Sequence, residues 1–255
     1  MHPVLFSLGP VTLHTYGLFV ALGFLAGIFW TRLEAVWRGQ EPEPILDLAF
    51  IVLLAAIAGA RLFYVIIYPE QFADDLLSIF MIWNGGLVFY GGFVTALIAV
   101  WIYLKKKEMP VWEVGDILAP GLALGHGIGR MGCFFAGCCY GKTCDLPWAV
   151  QFADPMSLAP TGMLLHPSQL YSVLGNLLLF VLLLSLKRFM RFSGQLFWIY
   201  VGLYGLMRSF LERFRGDPRG DVVWGLLSVS QFIGLLLFVF SLSMLLVLSR
   251  KRNAP

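Results

Sequence analysis

Three arginines lie inside segments of this sequence that are otherwise apolar or glycine-rich: Arg61, Arg130 and Arg208. A guanidinium placed in the hydrocarbon of a membrane costs about 2.5–3.5 kcal/mol on insertion scales, so it normally lines a polar cavity or pairs with an acid. Three of them in one chain predict a site for an anion. The alternative is that they snorkel to the nearer interface and only anchor helices. That alternative suits Arg61, which is near the end of its apolar segment, better than Arg208.

Arg208 shares one face of a predicted helix with other polar residues. Tyr204 and Glu212 are four residues away on either side, and Arg215 follows at seven. Residues at these spacings are neighbours on a helix surface, so one stripe carries a hydroxyl, two guanidiniums and a carboxylate. We expect this stripe to avoid lipid and Glu212 to form a salt bridge with Arg208. Two further arginines, Arg213 and Arg219, gather with Arg215 at the end of the segment.

Two segments of the sequence are rich in glycine, and each contains a polar residue that is a candidate for the site. The first contains Arg130 and the second surrounds Tyr90. Glycine weakens a helix and lets other backbone approach, so both segments are predicted to be interrupted helices that line a cavity. The alternative for the first segment is close helix packing through small residues. The glycines are Gly121, Gly125, Gly127, Gly129, Gly132, Gly137 and Gly141 in the first segment, and Gly85, Gly86, Gly91 and Gly92 in the second.

The composition places the whole chain in a membrane. Of 255 residues, 59% are hydrophobic and 13% are charged, and the mean hydropathy is +0.80. Soluble domains carry about 25% charged residues, roughly twice as many. Disorder, a nucleic-acid-binding domain and a soluble Rossmann enzyme are therefore excluded. The net charge of +3 is too small to imply a polyanionic partner.

Apolar runs near the roughly 20 residues needed to cross a bilayer predict an all-α polytopic protein with seven spans and interrupted helices three and four. Eleven Lys and Arg residues fall in alternate loops, which places the amino terminus outside and the carboxyl terminus in the cytoplasm. We expect one domain over residues 1–255, with a small outer cap at 140–166. The spans are 13–31, 47–68, 86–104, 114–135, 168–186, 194–212 and 222–249.

The four cysteines form one cluster in the sequence: Cys133, Cys138, Cys139 and Cys144. Their C-x4-C-C-x4-C spacing matches no usual zinc motif, because structural sites place two to four residues between paired ligands. We therefore expect no metal and no cofactor. Disulfides or structural packing are the main interpretation on an oxidising outer face. A metal site and a thiol role in acyl or glyceryl transfer are the alternatives.

These residues occur in the order found in bacterial prolipoprotein diacylglyceryl transferase, which the sequence resembles from about residue 3 to 249. The motifs that carry the resemblance are Tyr16-Gly17, the segment from Gly85 to Gly92, Gly129-Arg130-Met131-Gly132, His166-Pro167-Ser168-Gln169-Leu170-Tyr171, and Tyr204-Gly205-Leu206-Met207-Arg208 followed by Glu212 and Arg215.

The resemblance implies a multi-pass enzyme of the bacterial inner membrane with a periplasmic amino terminus. It would move the diacylglyceryl group of phosphatidylglycerol to the thiol of the lipobox cysteine in a preprolipoprotein and release glycerol phosphate. Arg130 and Arg208 match the family's essential arginines, and with Tyr90 they are the catalytic candidates. The substrate-binding candidates are Tyr16, Gly91, Gly92, Cys133, Gly141, His166, Gln169, Tyr204, Glu212 and Arg215.

The chain departs from the family at several of these places. Tyr90 stands where the family often has a histidine that is proposed as the base, and a phenol with a pKa of about 10 is a poor base at neutral pH. His126 and His166 are then the candidate bases, although His126 also fits a packing role. The family's Gly-Asn-Phe-x-Asn-Gly-Glu reads Gly132-Cys133-Phe134-Phe135-Ala136-Gly137-Cys138 here, and Ser172 replaces the glutamate after Tyr171.

Two other functions compete with this interpretation. One is a paralogue of the family that uses another lipid donor or acceptor, which the altered Tyr90 and the cysteines favour. The other is a transporter or lipid-binding protein that holds an anion between broken helices. The absence of an internal repeat between the halves argues against the transporter.

Overall fold

The computed structural model describes residues 1–8, 11–73, 75–217, 222–223 and 227–252, so Arg219 lies outside the described residues. In the described chain, seven α-helices account for most of the residues. They are α1 Thr15–Trp37, α2 Glu43–Ile67, α3 Phe89–Lys106, α4 Val111–Ala136, α5 Ser168–Leu186, α6 Gln195–Leu211 and α7 Val229–Arg252.

Short antiparallel strand pairs and 3-10 helices occupy the connections. The strands are β1 Val4–Leu8 with β2 Val11–His14, β3 Val150–Gln151 with β4 Leu164–Leu165, and β5 Val222–Val223 with β6 Leu227–Ser228. Three 3-10 helices follow α2 at Pro69–Phe72, Leu76–Phe80 and Ile82–Asn84, and others are Lys187–Phe189 and Glu212–Phe214.

Each helix coincides with one apolar segment of the sequence, which confirms a mostly helical membrane protein. Four helices in the described ranges are long and apolar enough to cross a bilayer: Thr15–Trp37, Glu43–Ile67, Ser168–Phe189 and Val229–Lys251. The remaining three are less apolar or shorter. Helix α3 ends in two lysines, α4 is rich in glycine, and α6 has 17 residues.

The chain packs as two compact units, which are described one at a time. The first unit comprises residues 1–31 and 115–255, and the second comprises residues 32–114. Helices α1 and α4 each have residues in both units.

In the second unit, α2 and α3 pack through small residues. A side chain at Gly92 would place its Cβ 2.7 Å from the carbonyl oxygen of Ala56, and one at Gly91 would meet Gly59 O at the same distance. Thr95 Oγ1 donates a hydrogen bond of 2.9 Å to Ala55 O. Small residues let the two backbones come close, which is how apolar helices gain packing energy in lipid.

Arg61 in this unit binds backbone rather than lipid or an acid. Its guanidinium donates to the carbonyl oxygens of Ser78, Ile79, Gly85 and Gly86 at 2.6–3.1 Å. The residue is 8% exposed. Arg61 therefore fixes the irregular segment between α2 and α3, because its donors bind four backbone carbonyls of that segment.

The prediction that helices three and four are interrupted is wrong. Helix α4 is continuous through Arg130, and α3 is continuous from Phe89, with the irregular backbone lying before it. In α4, Gly121 and Gly125 face another helix instead of a cavity. A Cβ at Gly125 would lie 2.6 Å from Gly23 O, and one at Gly121 would lie 2.6 Å from Gly27 O. Close packing of α1 on α4 is thus the physical reason for the glycines.

Helix α4 also positions the start of α6. The carboxylate of Asp116, which is fully buried, accepts hydrogen bonds from the backbone N–H groups of Gly194 at 2.7 Å and Phe197 at 2.9 Å. The first N–H groups of a helix have no intrahelical acceptor, so a carboxylate there satisfies them and complements the helix dipole. Ala119, Ala123, Leu179, Leu183 and Leu196 form the buried core around this contact.

The segment 140–166 lies in the connection between α4 and α5. Strands β3 and β4 pair there, and Gly141 forms an isolated bridge with Arg215. Phe152 is fully buried and packs with Ala159 and Leu165. The bridge between Gly141 and Arg215 thereby joins the connection after α4 to the end of α6.

Candidate active site

Arg130 contacts a histidine and two thiols. Its Nε lies 3.3 Å from His126 Nε2, one helical turn earlier, and its Nη1 lies 3.8 Å from Cys133 Sγ and 3.6 Å from Cys139 Sγ. These atoms belong to the end of α4 and the turn after it. The guanidinium is therefore held in place by polar atoms on two sides.

Three of the four cysteines meet beside this arginine. The Sγ atoms of Cys133, Cys138 and Cys139 all lie within 4.8 Å of one another, and none of the four cysteines forms a disulfide. The turn that brings them together has two residues of positive φ, Gly137 at 75° and Cys139 at 60°. The second value is uncommon for a residue with a Cβ and marks a backbone conformation that its surroundings must impose.

Cys139 also connects this cluster to a second arginine. Its pKa lies below the ordinary value for a thiol because the thiols of Cys133 and Cys138 hydrogen-bond to it and because the positive charge of Arg215 is close by. Since Arg130 approaches the same sulfur, Cys139 lies between two guanidiniums. A negative charge at this sulfur is stabilised from both directions.

Arg215 and Arg208 both contact the carboxylate of Glu212. Arg208 forms a salt bridge with Glu212, as the sequence predicted, and Arg215 Nε lies 3.7 Å from the same Glu212 Oε2. Arg215 Nη2 is also 2.7 Å from Asp217 Oδ2. Arg208 Nη2 donates to Ser230 Oγ in α7 at 3.2 Å. One connected network thus runs from His126 to Ser230.

Two tyrosines border the network in the first unit. The ring of Tyr204 lies 5.1 Å from the ring of His126, which brings the middle of α6 to the turn of α4 that carries Arg130. The backbone of Tyr16 lies against Gly132, where a Cβ would be 3.0 Å from Tyr16 O. The structure therefore brings α1, α4 and α6 together around the arginines.

The residues that start α5 hold the cysteine turn. Gln169, 1% exposed, donates from Nε2 to Cys138 O at 2.9 Å, and Ser168 Oγ donates to Cys139 O at 2.7 Å. Gly141 lies against the backbone of His166 and Phe214, with room for no side chain. His166 Nδ1 is 3.1 Å from Tyr171 Oη. Gln169 and Ser168 therefore fix the cysteine turn through its backbone, whereas Gly141 packs on His166 and Phe214.

An apolar groove opens beside His166. Its volume is about 460 Å³, and it lies between α5 and α6. His166 and Tyr171 are at its polar end, while leucines, Met207 and Phe210 form its walls. Such a groove suits a hydrocarbon chain.

Tyr90, Gly91 and Gly92 belong to the second unit. The two glycines pack on α2, as described above, and Tyr90 is 63% exposed, with its ring 5.8 Å from that of Phe89. The sequence interpretation missed Ser168 and Ser230. Ser168 lies inside a motif that was singled out, whereas no signal in the sequence marked Ser230, because only the packing of α7 on α6 brings it to Arg208.

Comparison with known proteins identifies the family of the chain. The family model for prolipoprotein diacylglyceryl transferase matches residues 3–247. The chain is 38% identical over 247 residues to the phosphatidylglycerol–prolipoprotein diacylglyceryl transferase of Clostridium tetani, covering 95% of this chain and 98% of that protein. Proteins of the same name from Solidesulfovibrio magneticus and Geobacter sulfurreducens are 36% and 33% identical, over 99% of the chain and 96–97% of each relative. The chain therefore belongs to the prolipoprotein diacylglyceryl transferase family.

Proposed function

We propose that the protein transfers the diacylglyceryl group of phosphatidylglycerol to the lipobox cysteine thiol of preprolipoproteins and releases glycerol phosphate. The observation that carries the proposal is the connected network of Arg130, Arg215 and Arg208 in a chain of this family. The proposal supposes an enzyme of the bacterial inner membrane that needs no diffusible cofactor.

The arginines suit the charge that the reaction creates. As the substrate thiolate attacks the glyceryl carbon that bears the phosphate, the C–O bond breaks and its electron pair goes to the departing glycerol phosphate. Guanidiniums remain charged and can contact two phosphate oxygens at once. Fixed donors in a dry site need no reorganisation as this charge develops. Arg130 and Arg208 are the catalytic groups of the proposal.

The partners of these arginines leave them able to bind phosphate. Arg130 uses Nε and Nη1 for His126 and the thiols, so Nη2 is the donor assigned to the headgroup. Arg208 and Arg215 are held at fixed separation by Glu212. In the proposal, Tyr16 and Tyr204 place the glycerol headgroup, and the groove between α5 and α6 receives an acyl chain.

The remaining parts of the proposal concern the membrane. The seven helices would all span the bilayer in one domain, with the amino terminus and the 140–166 cap in the periplasm and the carboxyl terminus in the cytoplasm. The supporting observation is that eleven of the 18 Lys and Arg residues lie in alternate loops. The site would then open to the leaflet where the preprolipoprotein thiol emerges.

The test reconstitutes the purified protein with phosphatidylglycerol and a lipobox peptide and follows the mass of the peptide and the released glycerol phosphate. We expect Arg130→Ala and Arg208→Ala each to lower the rate by at least about 10²-fold, the usual effect of removing a donor that stabilises developing charge. Arg213→Ala is the matched control, because Arg213 is exposed in the same region. Thermal unfolding confirms that each variant folds. Parent-level rates in both site variants would contradict the proposal.

A second candidate is the same chemistry with another lipid donor. Cysteines replace an asparagine and a glutamate of the family, and one of them, Cys133, contacts Arg130, so they favour it. Repeating the assay with phosphatidylethanolamine and cardiolipin distinguishes the two, since the primary proposal expects transfer from phosphatidylglycerol alone.

A further inference from the structure

The cluster of Cys133, Cys138 and Cys139 has the dimensions of a metal site. Tetrahedral zinc binds thiolates at about 2.3 Å, which places neighbouring sulfurs about 3.8 Å apart. The three Sγ atoms lie within 4.8 Å of one another, so movements of about 1 Å bring them to that spacing. The C-x4-C-C spacing argues against zinc only if the backbone between the cysteines is a regular helix or strand. Here Gly137 and Cys139 both have positive φ, and the backbone forms a turn.

The surroundings of the cluster match those of metal-bound thiolates. Arg130 Nη1 approaches two of the sulfurs, at 3.8 and 3.6 Å. Gln169 and Ser168 donate to the backbone oxygens of Cys138 and Cys139 and thereby fix both ligand-bearing residues. Such outer contacts orient metal ligands and tune their basicity. Zinc with three thiolates carries one net negative charge, which the neighbouring guanidinium balances.

The cluster supplies three ligands and leaves one position for a substrate. Zinc sites with three protein ligands are the catalytic kind, in which the fourth position takes water or a reactant. Cys144 lies in the cap, where its N–H donates to Leu164 O, and it is not part of the cluster. A fourth protein thiol therefore does not close the site.

We propose that Cys133, Cys138 and Cys139 bind a zinc ion whose open position takes the lipobox thiol as a thiolate. This inference rests on the proposed function. The reaction needs the substrate thiol to be deprotonated. A cysteine with a pKa of about 8.5 is mostly protonated at neutral pH, and Tyr90 is a poor base. A thiol that coordinates a metal ion is deprotonated outright.

The step balances without an oxidant or reductant. The substrate S–H bond breaks as sulfur binds zinc, and the proton passes to water. The bound sulfur then attacks the glyceryl carbon, so an S–C bond forms and the C–O bond to phosphate breaks. The electron pair leaves with glycerol phosphate beside Arg130. The product thioether carries no charge and is a weaker ligand than the thiolate, so it leaves the zinc.

The experiment measures metal in the purified full-length protein in nanodiscs, by elemental mass spectrometry and by titration with zinc under reducing conditions. We expect about one zinc per chain, and affinity at least tenfold weaker in Cys133→Ser, Cys138→Ser and Cys139→Ser. Cys144→Ser is the matched control and should bind zinc as the parent does. Cobalt in place of zinc gives a second readout, because a lipobox peptide should change the cobalt–thiolate absorption whereas its Cys→Ser analogue should not.

Each outcome decides a separate question. Transfer by a protein that binds no zinc while all four of its thiols react with a maleimide would overturn the metal site and leave the proposed function standing. A disulfide within the cluster of the active enzyme would overturn it as well. Zinc and peptide-thiol binding without transfer would support the site and contradict the proposed function.

Discussion

Glu212 is the residue on which the spacing of two site arginines depends. Its carboxylate contacts both Arg208 and Arg215, and its side chain is 9% exposed. Opposite charges about 4 Å apart attract by roughly 4 kcal/mol at an effective dielectric constant near 20. Without the carboxylate, two guanidiniums would face each other in a poorly hydrated region. Glu212 thus keeps two like charges close together.

We expect Glu212→Gln to lower the stability of the protein and its transfer rate together. The amide has nearly the same shape but no charge, so the arginines repel and lose their fixed positions. Breaking a buried pair costs about 3–5 kcal/mol. Because Arg208 is 16% exposed, we expect about 1–3 kcal/mol and a rate at least tenfold lower. Unfolding in detergent and the peptide-mass assay measure the two effects.

Glu41→Gln is the control for this substitution, since Glu41 is exposed. It should change neither stability nor rate. If Glu212→Gln behaved in the same way, Glu212 would not position the arginines.

The residues of the site differ in how far the sequence predicts them. The Arg208–Glu212 pair follows from four-residue spacing on one helix, which is local information. The meeting of Cys133 with Cys138 and Cys139 does not, because it depends on a turn with positive φ at a residue that rarely adopts it. The contact of Arg208 with Ser230 depends on how α7 packs. A contact between two side chains is therefore predicted from the sequence when both residues lie on the same helix.

At the scale of elements, glycines decide how close α1 and α4 come. Gly23 and Gly27 of α1 face Gly125 and Gly121 of α4 at backbone distances that admit no Cβ. This contact places Tyr16 and Gly132 side by side one or two turns further along. The helix that carries Arg130 is therefore positioned by glycines that take no part in the chemistry.

We expect Gly125→Ala to destabilise the protein by about 1–3 kcal/mol, the usual cost of overpacking. Its Cβ would lie 2.6 Å from Gly23 O, and both atoms belong to rigid helices. The control is Gly129→Ala on the same helix, where a Cβ would meet nothing within 4 Å. There the higher helix propensity of alanine should leave stability unchanged or raised. Chemical unfolding in detergent compares the two variants, and equal stabilities would contradict the packing role.

The elements themselves were largely predictable, and their irregularities were not. The predicted span 168–186 and helix α5 have the same limits. The other helices agree with their predicted spans within a few residues, except that α1 ends later and α7 begins later than predicted. The interruption predicted at Arg130 was wrong because a high density of glycine is typical both of a broken helix and of a helix in close contact with another, so the sequence of α4 alone does not distinguish them. The partner that distinguishes them, α1, is about 100 residues away in sequence.

At the scale of the whole molecule, charge distribution predicts the orientation in the membrane. Basic residues follow α1, α3 and α5 and end α7, whereas the segment 69–84 has none and 136–166 has only Lys142. Cytoplasmic loops carry the excess of Lys and Arg. The site network and the segment 140–166 would then lie toward the periplasmic face, where the thiol of a translocated preprolipoprotein is accessible.

Reporter fusions test this orientation. Green fluorescent protein fluoresces only when it folds in the cytoplasm, and alkaline phosphatase is active only after export, because its disulfides need an oxidising compartment. Fusions after Lys107 and after Arg252 should therefore fluoresce and lack phosphatase activity, since both positions follow clusters of lysine and arginine. A fusion after Trp148, within the cap, should give the reverse. Each site carries both reporters in turn, so that poor expression cannot pass for the wrong compartment. Phosphatase activity after Lys107 would mean either that an even number of spans precedes it or that the whole chain is inserted in the opposite orientation, and both results would contradict the orientation predicted from the charges.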